Sequence, residues 1–317
     1  MDKVNCLSGG KLKQRLLKYN TPRRITQVLS FILFSAAIFN IGALPLLFPV
    51  LWAWGLNPNT VGDAFTAIQL NLSGWNGVVV FPWLALASFL IVGILIGKSL
   101  CGWICPFGFV QDLVGFIRRK QTDVSVRTHQ TMVYVKYFVL VITLFISGAF
   151  AASTLMGSGE GYHRALGVFA DAPFTILSPS ETLFATLPRM IHDFRFALAS
   201  QGSSALTGFA TLPPLFWVQF AILVAVLVFV AYIPRSWCRY LCPHGAFMAI
   251  MNRFSFIGLR REPYKCEKGG CGMCVQVCPT RVPILDLPWE KFSDPECIYC
   301  LKCVDACENK AIKVTYP

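Results

Sequence analysis

The sequence predicts a mostly α-helical membrane protein that ends in a small α+β domain rich in cysteine. Hydrophobic residues make up 55% of the 317 residues, and charged residues make up 14%, about half of their usual share in soluble proteins. A soluble interior of this size cannot bury so much apolar surface, so a lipid bilayer is the expected surrounding. The thirteen cysteines are the second unusual feature, and their spacing predicts the terminal domain.

Four apolar segments are long enough to cross a bilayer as helices. About 30 Å of hydrocarbon requires about 20 helical residues. The segments lie within Ile25–Trp54, Gly77–Gly97, Tyr137–Met156 and Pro214–Ile233. A basic stretch precedes the first segment and no small-residue cleavage site follows it closely, so we predict a retained helix and not a secretory signal.

The distribution of Lys and Arg predicts the orientation in the membrane. Residues 1–24 carry seven basic residues, residues 57–76 carry none, and the chain after Ile233 carries twelve. Basic residues accumulate in the cytoplasmic segments of membrane proteins. We therefore expect a multi-pass inner-membrane protein with both termini in the cytoplasm and residues 157–213 on the opposite side of the membrane. The net charge of +12 is therefore attributed to topology, and no nucleic-acid partner is expected.

A six-residue motif occurs twice. Cys101-Gly-Trp-Ile-Cys105-Pro106 recurs as Cys238-Arg-Tyr-Leu-Cys242-Pro243 at an offset of 137 residues. Each copy follows the second helix of a predicted pair, at its cytoplasmic end. The sequence thus predicts four transmembrane helices in two parallel helix-pair repeats, which occupy residues 25–260 after a basic cytoplasmic terminus at 1–24.

The cysteines of these motifs form a candidate catalytic site. A spacing of four places two thiols on one helical face, and the following proline is expected to stop or redirect the helix. The two pairs could converge as ligands of a further iron–sulfur centre, act as redox dithiols, or pack as small residues at a helix end. His244 could add a ligand or a proton acceptor to Cys101, Cys105, Cys238 and Cys242.

The remaining spaced cysteines predict a cytoplasmic domain over residues 261–317 with two [4Fe–4S] clusters. They read Cys266-x4-Cys271-x2-Cys274-x3-Cys278 and Cys297-x2-Cys300-x2-Cys303-x3-Cys307. Apart from the wider first spacing, this is the pattern of bacterial two-cluster ferredoxins, in which the fourth cysteine of each run binds the other cluster. Cluster one is therefore assigned to Cys266, Cys271, Cys274 and Cys307, and cluster two to Cys297, Cys300, Cys303 and Cys278. Disulfides are disfavoured in a reducing compartment, and zinc sites use paired ligands.

Other redox groups are not expected. The sequence has no Cys-x-x-Cys-His and no glycine-rich nucleotide loop, which argues against c-type haem, flavin and nicotinamide. The four histidines (His129, His163, His192 and His244) all lie outside the predicted apolar segments. A membrane haem held by two histidines is therefore not expected either, and the chain is predicted to transfer electrons.

Together, the two motifs and the two-cluster tail resemble the NapH/MauN group of ferredoxin-type membrane proteins over most of the chain. The departures are the Cys266–Cys271 spacing and a long outer loop, Gly157–Pro213. The resemblance implies four membrane helices, cytoplasmic clusters and quinol oxidation or quinone reduction in a respiratory-type complex. It also implies exchange with the quinone pool and a partner redox subunit, such as a ferredoxin-like or cytochrome c protein.

Two further functions stay open beside quinol oxidation or quinone reduction: an assembly or maturation factor and a redox-sensing regulator.

If the chain oxidises quinol or reduces quinone, the quinone would react beside the motif cysteines, near the cytoplasmic helix ends. Its walls could come from Trp103, Phe107, Trp237 and Tyr240, and a proton acceptor from His244 or Asp112. These aromatic residues could instead mark the membrane interface, where Trp and Tyr accumulate.

Overall fold

A computed structural model describes residues 17–34, 64–73, 79–117, 125–170, 172–187, 190–191, 194, 213–266 and 271–316. The chain forms two compact units. The first unit comprises Met1–Phe34, Phe89–Tyr137 and Ile233–Pro317, and the second comprises Ser35–Ser88 and Phe138–Tyr232. Both Cys-x3-Cys-Pro motifs and all eight tail cysteines belong to the first unit.

The described part of the chain is mostly helical. In chain order the helices are α1 (Leu17–Phe34), α2 (Ala64–Ser73), α3 (Trp83–Ile96), α4 (Ser99–Trp103), α5 (Pro106–Ile117), α6 (Val126–Leu155), α7 (Gly159–Leu166), α8 (Pro179–Glu181), α9 (Pro214–Tyr232), α10 (Ser236–Tyr240), α11 (Pro243–Asn252), α12 (Met273–Gln276) and α13 (Lys302–Ala306). The strands are β1 (Gly258–Arg261), β2 (Lys291–Phe292) and β3 (Ile312–Thr315). Short 3₁₀ turns occur at Gly167–Phe169, Thr175–Leu177 and Pro263–Lys265, and a π turn at Thr182–Thr186.

Two of the described helices are long and apolar enough to cross a membrane. They are Arg127–Leu155 within α6 and Pro214–Tyr232, with mean hydropathies of 2.2 and 2.5. Only 28% of the most apolar window of each helix is buried, whereas a helix that is apolar all round in a soluble protein lies in the core. This exposure favours a lipid surrounding for both helices.

The other two predicted segments are less complete. Helix α3 covers 14 residues of Gly77–Gly97, fewer than the length that a straight crossing requires. Helix α1 begins upstream of Ile25 and includes Arg23 and Arg24. Residues 35–54, where the first segment was expected to end, lie outside the described residues.

One histidine prediction is wrong. His129 lies in α6, within the stretch Arg127–Leu155 that could span a membrane. The apolar pattern starts at Tyr137, but the helix continues upstream through polar residues, which the hydropathy pattern did not reveal. His163 and His244 lie in α7 and α11, and His192 lies outside the described residues.

In the second unit, two buried amides hold the turn Thr175–Leu177. Gln69 of α2 accepts a hydrogen bond from the Phe174 amide at 3.2 Å and donates one to the Thr175 hydroxyl, also at 3.2 Å. Gln219 of α9 donates to the carbonyl of Ile176 at 2.9 Å. These bonds satisfy buried polar groups of the predicted outer loop 157–213, so this part of the loop is a packed structure.

The tail forms a small α+β domain. Its antiparallel sheet has the order β2-β1-β3, with Leu259 opposite Phe292 and Val314. Leu259, Phe292 and Ile312 enter an apolar core that also includes Val282, Ile284, Tyr299, Cys274 and Cys303. Because β1 begins at Gly258, the sheet includes residues before the predicted domain start at 261.

Candidate iron–sulfur centre

Left-handed backbone conformations shape the two cysteine loops of the tail. Gly272 follows Cys271 with φ 60°, and Leu301 follows Cys300 with φ 58°. Each residue caps the short helix, α12 or α13, that carries the next cysteine. This conformation is free for glycine and costly for leucine, so the strain at Leu301 indicates that the surrounding structure imposes the loop path.

The fourth cysteine of each run accepts a hydrogen bond from a nearby backbone amide. Three residues after Cys278 and Cys307, Arg281 and Lys310 adopt φ values of 55° and 48°. The next amides, those of Val282 and Ala311, then donate to the sulfur atoms of Cys278 and Cys307, at 3.4 and 3.2 Å. Amide bonds to sulfur stabilise the negative charge of thiolate ligands and tune cluster potentials.

The tail thiols lie close to one another in two neighbouring groups. The charge of Cys274 interacts with those of Cys266, Cys271 and Cys307. The charge of Cys303 interacts most strongly with Cys300, Cys297 and Cys278. The second set also lines one cavity, together with apolar side chains such as Leu259, Val282 and Phe292. Four thiols around a single apolar cavity fit a cubane cluster. In the first loop, Gly269 and Gly270 lie outside the described residues.

Among the described residues, no group of three or more His, Cys, Asp or Glu side chains is close enough to hold one ion. In a cubane each thiolate binds a different iron, so its ligands are spread more widely. The twelve described cysteines are all free thiols, without a disulfide.

The local structure of the Cys-x3-Cys-Pro motifs corrects the prediction of one shared helical face. Helix α4 carries Cys101 but ends at Trp103, and the amides of Ile104 and Cys105 both donate to the carbonyl of Leu100, at 2.9 and 3.0 Å. In the second motif the amides of Leu241 and Cys242 both donate to the carbonyl of Trp237, each at 3.0 Å. The second cysteine of each motif therefore lies between two helices.

The proline of each motif redirects the chain into a new helix, which is one of the two roles expected of it. Pro106 and Pro243 are the first residues of α5 and α11. Proline suits this position because the first helical amide needs no intrahelical acceptor and its φ is already helical.

A glycine two residues after each proline completes the motif. The Gly245 amide donates to the sulfur of Cys242 at 3.3 Å, and the Gly108 amide binds Cys105 in the same way. A Cβ atom on Gly108 would lie 2.9 Å from the carbonyl oxygen of Cys101, and one on Gly245 would lie 3.0 Å from that of Cys238. Glycine thus permits the close approach of the two turns that carry each cysteine pair.

The four motif thiols converge in the first unit. Cys242 interacts electrostatically with Cys238, Cys101 and Cys105. Gln111 of α5, which is buried, donates to the sulfur of Cys238 at 3.0 Å and so connects the two motifs. Burial raises the pKa of Cys101 to about 11. A thiol must lose its proton to act as a metal ligand.

The first motif lies directly against the loop that carries cluster-two cysteines. Cys101 packs with Ile298 and Cys300 in one buried cluster. The indole Nε1 of Trp103 donates to the Tyr299 carbonyl at 2.9 Å. The first motif therefore lies beside the loop that carries Cys297 and Cys300.

A glycine of α4 allows this contact. A Cβ atom on Gly102 would lie 2.3 Å from the carbonyl oxygen of Ile298, and that carbonyl belongs to backbone that cannot move like a flexible side chain. Gly102→Ala is expected to destabilise the protein by about 1–3 kcal/mol, as overpacking does. Thermal unfolding of the two alanine variants Gly102→Ala and Gly115→Ala measures the effect. Gly115 has open space around it, so its variant should be neutral, and equal melting temperatures would contradict the packing argument.

Two buried carboxylates bind the basic residues around the motifs. Asp112 accepts hydrogen bonds from Arg23 and Arg235, the latter through two contacts of 2.8 Å, and Arg24 lies 3.4 Å away. Burial opposes ionisation of Asp112, but the charge and hydrogen bonds of Arg235 hold its pKa below the ordinary value. Asp112 therefore remains charged, and its predicted role as a proton acceptor is not supported by its surroundings.

Glu296, immediately before Cys297, forms the second buried ion cluster. It accepts hydrogen bonds from Lys98, at 3.1 Å, and from Lys136. Both lysine side chains are buried. The sequence interpretation did not include Lys98, Arg235 or Glu296 in the site. A signal was available for two of them, because the offset of 137 residues that relates the motifs also relates Lys98 to Arg235.

The aromatic side chains of the motifs pack the first unit internally. Phe107 and Trp237 are buried in edge-to-face contact, with ring centroids 6.3 Å apart. The hydroxyl of Tyr240, fully buried, lies 3.0 Å from His129 Nδ1. His244 is also buried, with its ring 4.9 Å from that of Phe89. These positions agree with packing rather than with an exposed belt at the membrane interface.

The chain matches two known sequence families. A family described as "4Fe-4S binding domain" matches twice, at residues 75–122 and 215–261, and each match contains one Cys-x3-Cys-Pro motif. A family described as "4Fe-4S dicluster domain" matches residues 256–317. No solved structure matches the chain significantly.

Among curated proteins, the chain is similar to the "Putative electron transport protein YccM" of Escherichia coli, with 27% identity over 71% of this chain and 52% of that protein. It therefore spans about half the length of this relative. The "Ferredoxin-type protein NapH" of Haemophilus influenzae is 24% identical over 85% of this chain and 75% of its own length. The "Regulatory protein NosR" of Stutzerimonas stutzeri is 26% identical over 64% of this chain and 22% of its own.

These matches cover the cysteine motifs and the tail domain whose geometry is described above. They agree with the resemblance that the sequence motifs indicated. The chain is thus similar to NapH ferredoxin-type proteins and contains matches to two 4Fe-4S families.

Proposed function

We propose that the chain is a membrane-bound electron-transfer protein that oxidises quinol, or reduces quinone, as a subunit of a respiratory-type redox complex. The observation that carries this proposal is the packing of Cys101 in one buried cluster with Ile298 and Cys300. It joins the motif at a predicted helix end to the loop of a predicted cluster. The names of the relatives, an electron transport protein and a ferredoxin-type protein, support electron transfer.

Two [4Fe–4S] clusters would be held by the two tail sets, Cys266, Cys271, Cys274 and Cys307, and Cys297, Cys300, Cys303 and Cys278. When bound, such clusters accept and release single electrons. The chain itself supplies the amides of Val282 and Ala311 as donors to the ligand sulfurs. Apolar side chains such as Leu259 and Phe292 surround the thiols of the second set.

The proposed fold has four membrane helices in two parallel pairs, with both termini in the cytoplasm. The exposed apolar surfaces of α6 and α9 support membrane insertion. Two matches of one family, each with one motif, support a repeated half. The excess of basic residues at both ends of the chain supports cytoplasmic termini.

The proposed quinone site lies beside the motif cysteines Cys101, Cys105, Cys238 and Cys242. A quinone headgroup enters from hydrocarbon and must come close to a redox centre. His244 is the candidate proton acceptor, since Asp112 is bound by arginines. A partner redox subunit, such as a ferredoxin-like or cytochrome c protein, would exchange electrons with the tail clusters.

Replacing Cys105 or Cys242 with Ser tests this function. We expect each variant to lose quinol-dependent reduction of the tail clusters, because it lacks one of the motif thiols that lie between the proposed quinone site and the tail. Dithionite should still reduce the tail clusters, which measures their integrity independently. Optical bleaching and EPR of the anaerobically purified protein follow both reactions. Wild-type quinol turnover in both variants would contradict a catalytic role of the motifs.

A redox-sensing or maturation role is the second candidate. The similarity to a protein named as regulatory favours it, and the same clusters would then report redox state or supply electrons for metal insertion. Purified protein without quinol turnover, combined with a cellular phenotype rescued by added metal, would favour the maturation role over the respiratory one.

A further inference from the structure

Three basic side chains form one row across the outer face of the tail sheet. Arg260 of the central strand β1 lies opposite Lys291 of β2 and opposite Lys313 of β3. Residues directly opposite each other in an antiparallel pair share one face, and like charges in such positions destabilise the pair. Arg260 and Lys313 are exposed and Lys291 is half-buried, whereas Leu259, next to Arg260, points into the apolar core. The row is therefore not explained by the stability of the sheet.

Nearby acidic residues neutralise only one end of the row. Glu262 pairs with Lys313 at 2.7 Å, but it also pairs with Lys265 at the same distance. Among the described residues, Glu290 forms no ion pair with the row, and the Arg260 side chain has neither a hydrogen bond nor an ion pair. Lysine on an edge strand discourages the addition of another strand, but Arg260 is on the central strand. The centre of the row thus lacks a negative partner within this part of the chain.

Exposed aromatic side chains flank the row. Phe254, Phe256 and Trp289 are each more than half exposed. The Lys291 ammonium group lies 5.9 Å from the centre of the Phe256 ring and donates to the Phe256 carbonyl at 2.9 Å. Basic residues beside exposed aromatic residues are typical of surfaces that lie at the boundary between membrane and water.

The aromatic end of the row adjoins the apolar helix α3. The Phe256 amide donates to the carbonyl of Ile94, in the last turn of this helix, at 2.6 Å. Ile91, Ile94 and Leu95 of the same turns are 59%, 40% and 53% exposed. An exposed apolar surface of the first unit therefore lies next to the basic row, as the hydrocarbon of a bilayer lies next to its headgroups.

We propose that Arg260, Lys291 and Lys313 bind the headgroups of acidic phospholipids, with Phe254 and Phe256 against the acyl chains. The lipid phosphate supplies the negative charge that relieves the repulsion within the row. An acidic soluble protein would match the charges but would leave the apolar surface of α3 beside them uncovered. The inference rests on the proposed membrane insertion of the chain, and it places the sheet of the tail domain at the membrane surface.

Arg260→Gln is the sharpest test, because the substitution breaks no hydrogen bond or ion pair of the side chain. Full-length protein purified in dodecyl maltoside is titrated with dioleoyl phosphatidylglycerol, which is acidic, or with dioleoyl phosphatidylcholine, which is neutral. Native mass spectrometry counts the bound lipids. We expect Arg260→Gln to bind phosphatidylglycerol about fivefold more weakly than the wild type, the usual effect of one basic residue at an acidic membrane surface. Binding of phosphatidylcholine should be unchanged.

The controls separate lipid binding from net charge and from folding. Arg260→Lys keeps the charge and should retain the affinity for phosphatidylglycerol. Arg164→Gln removes an exposed positive charge of α7, on the predicted outer loop, and should also retain it. In detergent without phosphatidylglycerol, Arg260→Gln should melt at the same temperature as the wild type or higher, since the substitution relieves repulsion. A lower melting temperature would mean that Arg260 stabilises the sheet, and it would contradict the argument from the row.

Two further outcomes would overturn the inference. One is an equal affinity of the wild type and Arg260→Gln for phosphatidylglycerol. The other is binding of an acidic soluble ferredoxin that depends on Arg260 when lipid binding does not, which would assign the row to a protein partner. Wild-type protein recovered from the soluble fraction without detergent would contradict the membrane insertion on which the inference rests. Absence of both tail EPR signals from the wild type would contradict the proposed electron transfer, and a lipid affinity that depends on Arg260 would survive that result.

Discussion

Cys303→Ser and Cys307→Ser are expected to remove different clusters, although both residues lie on or beside α13. Cys303 interacts with Cys278, Cys297 and Cys300, whereas Cys307 belongs to the set of Cys274. Loss of one thiolate from a four-thiolate cubane site should cost about four irons per chain in either variant. Iron and sulfide analysis measures the loss, and EPR redox titration identifies which of the two signals disappears.

The partner of each variant provides the matched comparison. Cys278→Ser should reproduce the spectrum of Cys303→Ser, and Cys274→Ser that of Cys307→Ser, since each pair shares a cluster. Cys6→Ser should keep the full iron content, because Cys6 lies outside every spaced motif. If Cys303→Ser and Cys307→Ser lost the same signal, the exchange of the fourth cysteine between clusters would be wrong.

The tail could be predicted well because its chemistry is local. Cysteine spacing alone predicts two ligand sets, and a match to a 4Fe-4S dicluster family covers the same residues. The left-handed residues Leu301 and Lys310 could not be predicted, since neither is a residue type that favours this conformation. The fold around the loops imposes it.

The surroundings of the motifs were harder to predict because they depend on distant contacts. Asp112 and Arg235 are 123 positions apart, and Lys98 and Glu296 are 198 apart. Hydropathy and motif spacing contain no signal for such pairs. The basic stretch at Arg23 illustrates the difficulty: charge counting assigns it to the cytoplasmic surface, whereas the structure buries this arginine against Asp112 and the Gly102 carbonyl.

Asp112→Ala is expected to be the most destabilising single substitution of a charged residue in the first unit. It removes the carboxylate that Arg23 and Arg235 share, and both arginine side chains are almost fully buried. Removing one partner of a buried ion pair typically costs about 3–5 kcal/mol, because the remaining charge is left without compensation. Here two arginines would lose their partner, so the cost should lie at the upper end of that range. Thermal unfolding in detergent, followed by fluorescence-detected size exclusion, measures the change.

An exposed ion pair provides the control. Glu160→Ala breaks the ion pair with Arg164, in which both side chains are more than four-fifths exposed, and it should leave the melting temperature almost unchanged because water screens such pairs. Combining Asp112→Ala with Arg235→Gln should recover part of the lost stability, since one of the unpaired buried charges is removed with its carboxylate. A melting temperature for Asp112→Ala equal to that of Glu160→Ala would contradict the buried network. An additive loss in the double variant would mean that Asp112 and Arg235 stabilise the first unit independently of each other.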